Sequence, residues 1–330
     1  MGDVSIYDVA KVAGVHSSTV SRAFSRPDAV KPATRERILR IAQEMGYQVN
    51  SLGQALRRGA SNLVPLIVPD ITNPFYGELA KAVSAAAGPR GYQVVLCLTE
   101  GVADETYRFL TSMGAHFSPF AIVAPSTRID AAELNRTALA RRTVVIDRIP
   151  RDLQVPTVFI DNRLGVQLAL DHLLDLGHRR IAYLTGTVGT FSAEARVQAY
   201  NELAAAHDIT PIVMRGGYDH AATLRGAEEF LALEPRPTAV IASNDMAAFG
   251  FMSRLAERGL RIPDDVSVTG FDGVPIGENF NPGITTIVQP FAELGRLAVE
   301  VAERFAASGE IEHEELVPEL LVRRSTRAVT

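Results

Sequence analysis

A small all-α headpiece followed by a larger α/β body is the architecture that the 330-residue sequence predicts. Three observations carry it. Residues 4–45 read as three short helices, two of them joined by a tight turn. From Leu63 onward, apolar strand runs alternate with amphipathic helices. Between the two parts the charge changes sign: residues 1–61 hold nine Lys/Arg against five Asp/Glu, +4, and the remainder stands at −9, for a total of −5. The length exceeds one ordinary domain and suffices for two or three with cores of their own.

The first helix starts at Ser5, an N-cap residue with Asp8 three positions on, the pattern of a capping box. Ile6, Val9, Ala10 and Ala13 fall at i, i+3, i+4 and i+7 and form one buried stripe. Gly14 ends the helix. A second helix follows at about Ser17 to Ser25. A third runs from Pro32, a first-turn proline, to Gly46, with Ile38, Ile41, Ala42 and Met45 inward. Two helices separated by a tight glycine-containing turn match helix-turn-helix geometry.

The strand-like runs of the body are Val64–Val68, Gln93–Leu98, Ala121–Ala124, Thr143–Ile146, Val158–Ile160, Arg180–Leu184, Ala239–Ala242 and Val266–Gly270. Helical stretches such as Phe75–Ala87 and Val166–Leu176 lie between many of them. This alternation predicts parallel sheets covered by helices on both faces, with strands enough for two sheets. No run approaches the roughly 18 apolar residues of a membrane span, and the N-terminus lacks an apolar signal core, so a cytoplasmic location is expected. The single cysteine, Cys97, lies within the apolar run Tyr92–Leu98 and is expected to fill core rather than to react.

On the second helix Val20, Ala23 and Phe24 share one side, and Ser17, Ser18, Ser21 and Arg22 share the other. The outward side suits a DNA major groove: serine hydroxyls bond varied base edges, and arginine takes guanine O6 and N7 together, for roughly 1–3 kcal/mol of discrimination. An isolated face of this kind is more often a solvated helix surface. An acidic body would be repelled by phosphate, so nucleic-acid binding would belong to the N-terminal part.

The wider sequence decides between them. Ser5 to Val15, then Thr19-Val20-Ser21-Arg22, resembles the lactose/galactose repressor family. Thr34 to Ile38, Gly46-Tyr47, Asn50, Leu56, Asn73-Pro74-Phe75, Gly177 to Ala182, Asn244 to Ala247, Gly270-Phe271-Asp272 and Arg324-Ser325-Thr326 also fall where that family has them. The resemblance covers essentially the whole chain. It implies a headpiece over 1–48, a hinge helix or linker over 49–61, and a periplasmic-binding-protein-like body over 62–330 that binds a small-molecule effector and dimerises. The body's first lobe would take about 62–161 and 291–321, and its second about 162–290 and 322–330.

Carried over by position, Ser17, Ser18 and Arg22 would face bases, and Tyr7, Thr19, Ser21 and Tyr47 would touch or support the phosphate backbone. Asn50 to Arg58 matches the hinge helix, with Leu56 as a wedge in the minor groove. Effector contacts would come from Phe75, Ser126, Asp147, Ser192, Arg196, Tyr218, Asn244 and Asp272. Arg196 in a lobe interface needs an anionic or polyhydroxyl partner. Asp245, after an apolar strand, reads as a helix cap rather than a ligand contact, and Asn244 suits either role. His178 looks structural. The partners implied are operator DNA of near-palindromic sequence, a sugar or derivative, and a second copy of the chain. The chain stops soon after Arg324-Ser325-Thr326, without room for a tetramerising helix, so a dimer is expected.

A P-loop, a G-x-S-x-G elbow and an H-E-x-x-H sequence are all missing, so no enzyme, cofactor or metal is expected. A solute-binding protein for transport would share the body, but would need an export signal and would have no use for residues 1–58. An inducer-released repressor is preferred over a corepressor-dependent regulator, since induction by a sugar is the commoner arrangement in such relatives.

Four departures from the family pattern stand out. His16 replaces a serine at the start of the second helix, weakening its cap unless Ser17 substitutes. Lys31 stands where a capping serine is common. Val49 replaces a proline, and Gly53-Gln54 replace Ala-Arg in the hinge. Glycine costs a helix interior about 1 kcal/mol relative to alanine. Gly53→Ala is therefore expected to tighten operator binding in a titration of the full chain; an unchanged or weaker affinity would contradict this reading of the hinge.

Overall fold

The computed structural model describes residues 4–47, 61–113, 118–125, 128–147, 153–217 and 220–329. It divides into two compact units, Met1–Ser61 and Asn62–Thr330.

The first unit is helical. Helices α1 (Ile6–Ala13), α2 (Ser17–Ser25) and α3 (Pro32–Glu44) bury Val9, Ala10, Ala13, Val20, Ala23, Ile38 and Ala42 against one another. The capping box is formed: Asp8 N–H donates to Ser5 Oγ at 3.3 Å, and Ser5 N–H donates to Asp8 Oδ2 at 2.9 Å. Gly14 closes α1 with φ +61°, a left-handed conformation that a side chain would strain. As expected, Val20 and Ala23 point inward; Phe24 is half-buried, its ring 5.8 Å from that of Tyr47.

The second unit holds two six-stranded sheets. Strands β1 (Leu63–Val68), β2 (Gln93–Leu98), β3 (Ala121–Val123), β4 (Thr143–Ile146) and β5 (Thr157–Ile160) belong to the first. Strands β6 (Ile181–Leu184), β7 (Ile212–Met214), β8 (Ala239–Ala242), β9 (Ser267–Asp272) and β10 (Thr285–Val288) belong to the second. Late in the chain β11 (His313–Leu316) and β12 (Glu319–Leu321) add one edge to each, giving the orders β11-β5-β4-β3-β1-β2 and β12-β10-β9-β8-β6-β7. All pairings are parallel except β12 on β10. The apolar run expected over Val266–Gly270 forms a strand shifted to Ser267–Asp272.

Helices α4 (Pro74–Ala87), α5 (Ala103–Ser112), α6 (Ala131–Arg136), α7 (Asn162–Asp175), α8 (Phe191–Ala206), α9 (His220–Ala232), α10 (Asp245–Glu257) and α11 (Phe291–Ser308) cover the sheets. One face of the first sheet packs Val64, Leu66 and Val68 against Leu79 and Val83 of α4 and Leu294, Leu297 and Val301 of α11. The other face holds Cys97, Leu110 and Leu134. Cys97 is core filler, as expected, and burial pushes its thiol pKa up. His178 is structural too: its Nδ1 meets Thr238 Oγ1 at 2.9 Å, and its Nε2 lies 3.1 Å from both Ser267 Oγ and the Arg327 carbonyl.

The chain passes between the lobes three times, at Asp161, at Gln289-Pro290 and at Val317-Pro318. The last passage comes before 321, where the family pattern suggested it, because β12 pairs Leu321 with Thr286 of the second sheet. Asp161 N–H donates to Leu316 O at 2.9 Å, tying two of the crossings together. Among the described residues no helix is long and apolar enough to cross a membrane.

Where α11 crosses α4 the backbones nearly touch. A Cβ on Gly295 would lie 2.5 Å from the carbonyl carbon of Ala82. Gly295→Ala should force the two helices apart and cost about 1–3 kcal/mol, the usual range for overpacking. Urea denaturation monitored by circular dichroism tests this; an unchanged midpoint would show that the contact gives way freely.

Candidate functional site

In each sheet the strand order reverses beside the first strand laid down, β1 in one and β6 in the other, the arrangement that opens a crevice at the carboxyl ends of the strands. The candidate residues gather there. From the first lobe come Asn73 and Phe75 after β1, Ala124 and Pro125 after β3, and Ile146 and Asp147 at the end of β4. From the second come Ser192 and Arg196 of α8, Asn244 after β8, Asp272 ending β9 and Gln289 after β10. Phe75, Asp147, Ser192, Arg196, Asn244 and Asp272 therefore line one cleft. Ser126 and Tyr218 lie outside the described residues, as do Asn50, Leu56 and the departures Val49, Gly53 and Gln54.

Local chemistry explains how these side chains are held. Asn73 caps α4, accepting from Phe75 N–H at 3.1 Å, and Pro74 takes the first helical position. The Phe75 ring lies 5.1 Å from Tyr76 and 5.6 Å from Phe291, and packs against cores of both lobes. Asn244, not Asp245, caps α10, accepting from Ala247 N–H at 2.8 Å. Asp245 is the first helical residue instead. Wholly buried, it accepts from Val274 N–H at 2.8 Å and from Thr286 Oγ1 at 2.5 Å, which anchors the loop after β9.

Arg196 has its partners within the protein. Its Nε donates to Asn162 Oδ1 at 2.7 Å and its Nη1 to Ser243 O at 2.6 Å. Its guanidinium carbon sits 3.5 Å from the centre of the Phe271 ring, and Nη1 lies 3.9 Å from Asp272 Oδ1. Asp272 also accepts from Gln289 Nε2 at 2.7 Å. The anionic partner expected for Arg196 is thus present within the protein as Asp272, and Asn162 and Gln289, which sequence reasoning missed, hold the pair, the first through Arg196 and the second through Asp272. Neither carried a sequence signal, because each is a lone polar residue beside a strand end that becomes part of the cleft only where the chain changes lobe.

Asp147 and Asp272 adopt φ +152° and +113°, in the region that L-residues rarely occupy. Two of the four non-glycine residues with positive φ among those described are thus the two carboxylates of the cleft. Strain of this kind concentrates where surrounding structure over-determines a functional geometry. Across the lobes Arg128 pairs with Glu194 at 2.7 Å and lies 5.1 Å from the ring of Phe191, next to Ser192.

Burial, and then the charge of Asp272, push the Asp245 carboxyl up to about 8. Burial pushes Asp272 up to about 6, against the pull of Arg196, Gln289 and Asn244. Both native values lie above the unfolded value near 3.9, so between these limits the folded chain holds more protons than the unfolded one. Stability from the pair is therefore greatest at low pH and is lost as pH rises through about 6 and then about 8. Asp245→Asn should flatten the decline of melting temperature between pH 6 and 8; parallel profiles for variant and parent would contradict the assignment.

In the headpiece, Tyr7, Ser18 and Arg22 are exposed and Ser17, Thr19, Ser21 and Tyr47 half-buried. His16 does not weaken α2. Its Nδ1 accepts the N–H of Ser18 at 3.3 Å, so the imidazole itself is the cap, and Ser17 need not serve. Lys31, before α3, makes no side-chain cap, as its chemistry implied.

The family described as bacterial regulatory proteins, lacI family, matches residues 5–50, and the periplasmic binding protein-like domain matches residues 170–326. The ribose operon repressor of Halalkalibacterium halodurans is 30% identical over 98% of this chain and 97% of its own length. The HTH-type transcriptional regulator DegA of Bacillus subtilis is 32% identical over 98% of each. Among solved structures, the lac repressor dimer bound to operator and the anti-inducer ONPF superposes with a TM-score of 0.88 at 25% identity, covering 99% of this chain and 100% of that one. A helix-turn-helix unit and a two-lobed body, matched end to end by such relatives, place the chain in the lacI family of bacterial regulatory proteins.

Proposed function

We propose that this DNA-binding regulator represses transcription as a homodimer on a near-palindromic operator and releases it when a neutral polyhydroxyl effector, a sugar or close derivative, enters the cleft. One observation carries the effector half of this reading: six candidate residues, drawn from both lobes, meet at the carboxyl ends of two parallel sheets. A ligand held by both lobes binds the closed arrangement more tightly than the open one, and only such differential affinity shifts an equilibrium. The relatives support the other half, since the ribose operon repressor and the operator-bound lac repressor share the whole length of the chain.

The cleft's chemistry selects among ligands. Two carboxylates, Asp147 and Asp272, share the cleft with one guanidinium, Arg196, whose Nε and Nη1 already donate to Asn162 and to the Ser243 carbonyl. This balance disfavours a phosphorylated or carboxylate effector and favours hydroxyl groups that donate to the two carboxylates. The contacting roles proposed are Asp147, Ser192, Arg196, Asn244 and Asp272 for hydroxyls and Phe75 for an apolar sugar face. In the headpiece Ser17, Ser18 and Arg22 would meet bases, and Tyr7, Thr19, Ser21 and Tyr47 the phosphates.

A gel-shift titration with the DNA upstream of the coding sequence, run with and without a panel of mono- and disaccharides, tests the reading. Saturable, sequence-dependent binding weakened by one neutral sugar is the expected result; an effector that strengthens binding would reverse the sign of control. Asp147→Asn should weaken the sugar response at least tenfold, as expected for a lost charge-assisted hydrogen bond, and Ser192→Ala by roughly two- to tenfold, the range of a neutral one, with operator affinity unchanged. Retention of the full response by both would remove these residues from the effector site.

A further inference from the structure

We infer that His16 fixes the polarity of the Ser18 hydroxyl, so that this position of the reading helix acts only as a hydrogen-bond acceptor and selects a base carrying an amino group. The inference rests on the reading that the outward face of α2 meets base edges.

It follows from proton accounting. A backbone N–H can only donate, so His16 Nδ1, which accepts from Ser18 N at 3.3 Å, carries no proton. The same Nδ1 lies 2.9 Å from Ser18 Oγ. With no proton on Nδ1, the hydroxyl is the donor in that contact, and as the nearer of the two donors it takes the larger part of the single Nδ1 lone pair that it shares with the N–H. Its proton is then committed to the imidazole. One oxygen lone pair is filled by Arg22 Nη2, which donates to Ser18 Oγ at 3.3 Å, while Arg22 Nε donates to the Ser18 carbonyl at 3.1 Å. What remains is a single lone pair. If Arg22 swings out to a guanine, a second lone pair is released, but still no proton. In the major groove only adenine N6 and cytosine N4 present donors to such an acceptor. A serine without this partner rotates its hydroxyl and takes donor or acceptor alike.

His16 is thus a positioning residue acting through Ser18, and capping alone can be separated from it. Serine at position 16 can accept from the helix N–H groups, but is too short to bring the same acceptor to the Ser18 hydroxyl. Asparagine places Oδ1 at the same number of bonds from Cα as the imidazole Nδ1 and can do both.

The experiment is selection of the full chain on duplexes with a randomised inverted repeat, comparing the parent with His16→Ser, His16→Asn, Ser18→Ala and Arg22→Ala. The parent should enrich adenine or cytosine at one position of each half-site by roughly fivefold, the worth of one hydrogen bond. His16→Ser and Ser18→Ala should lose that preference while keeping the guanine that Arg22→Ala abolishes. His16→Asn should retain both. If His16→Ser keeps the parent's base preference and changes affinity alone, His16 is only a cap and the inference fails. If Arg22→Ala leaves every base preference intact, the reading face itself is wrong and the inference falls with it. Circular dichroism of each variant confirms that the helices persist.

Discussion

A guanidinium cannot shed its charge, so taking it out of water is costly unless the protein offers acceptors and a counter-charge in exchange. Arg196 is 5% exposed, and the body is arranged to meet this demand. The first turn of α7 supplies Asn162, the end of β8 the carbonyl of Ser243, and the end of β9 both Asp272 and the face of Phe271. Three segments that are remote in sequence are thereby fixed relative to one another at the floor of the cleft. Asn162 is also the first residue after a lobe crossing, so the same bond couples the floor to the hinge.

A second buried charge problem lies just behind. Asp245 and Asp272 are both shut away from water, and the charge of Asp272 adds to the burial of Asp245, so Asp245 is relieved by holding its proton. Asp245 uses its oxygens to hold the loop after β9 and the strand β10. Asp272 is pulled toward ionisation by Arg196 and Gln289 and faces the cleft in a strained backbone conformation. The two acids divide the work: one secures the frame, and the other presents a carboxylate to the cleft.

The headpiece solves a smaller problem with local means. A unit of about sixty residues buries a modest fraction of its surface, so helix ends count for much. Ser5 with Asp8, Gly14 and His16 satisfy those ends within a few residues. In α2 the capping imidazole also holds Ser18, an exposed residue of the outward face, so stability and presentation draw on the same side chains.

Much of this was legible in the sequence. Period-3.6 stripes gave the three short helices, and the apolar runs gave most central strands, because a parallel strand buried on both faces must be apolar throughout. Strand β11, with the polar sequence His-Glu-Glu-Leu, and β12 carried no such signal, since edge strands face water and need no apolar run. In the cleft, Phe75, Asp147, Ser192, Arg196, Asn244 and Asp272 were found by family position, whereas Asn162 and Gln289 were not. What the sequence determined by itself was the class of each segment and the residue types at the strand ends, which follow from local periodicity and capping chemistry. Only the tertiary structure decided which polar groups meet: that Arg196 bonds to Asn162 and the Ser243 carbonyl, that Asn244 rather than Asp245 is the cap, and that His16 holds Ser18. Hydrogen bonds depend on distances of a few ångströms and on which side has the proton, and those are set by how distant segments pack and not by their order along the chain.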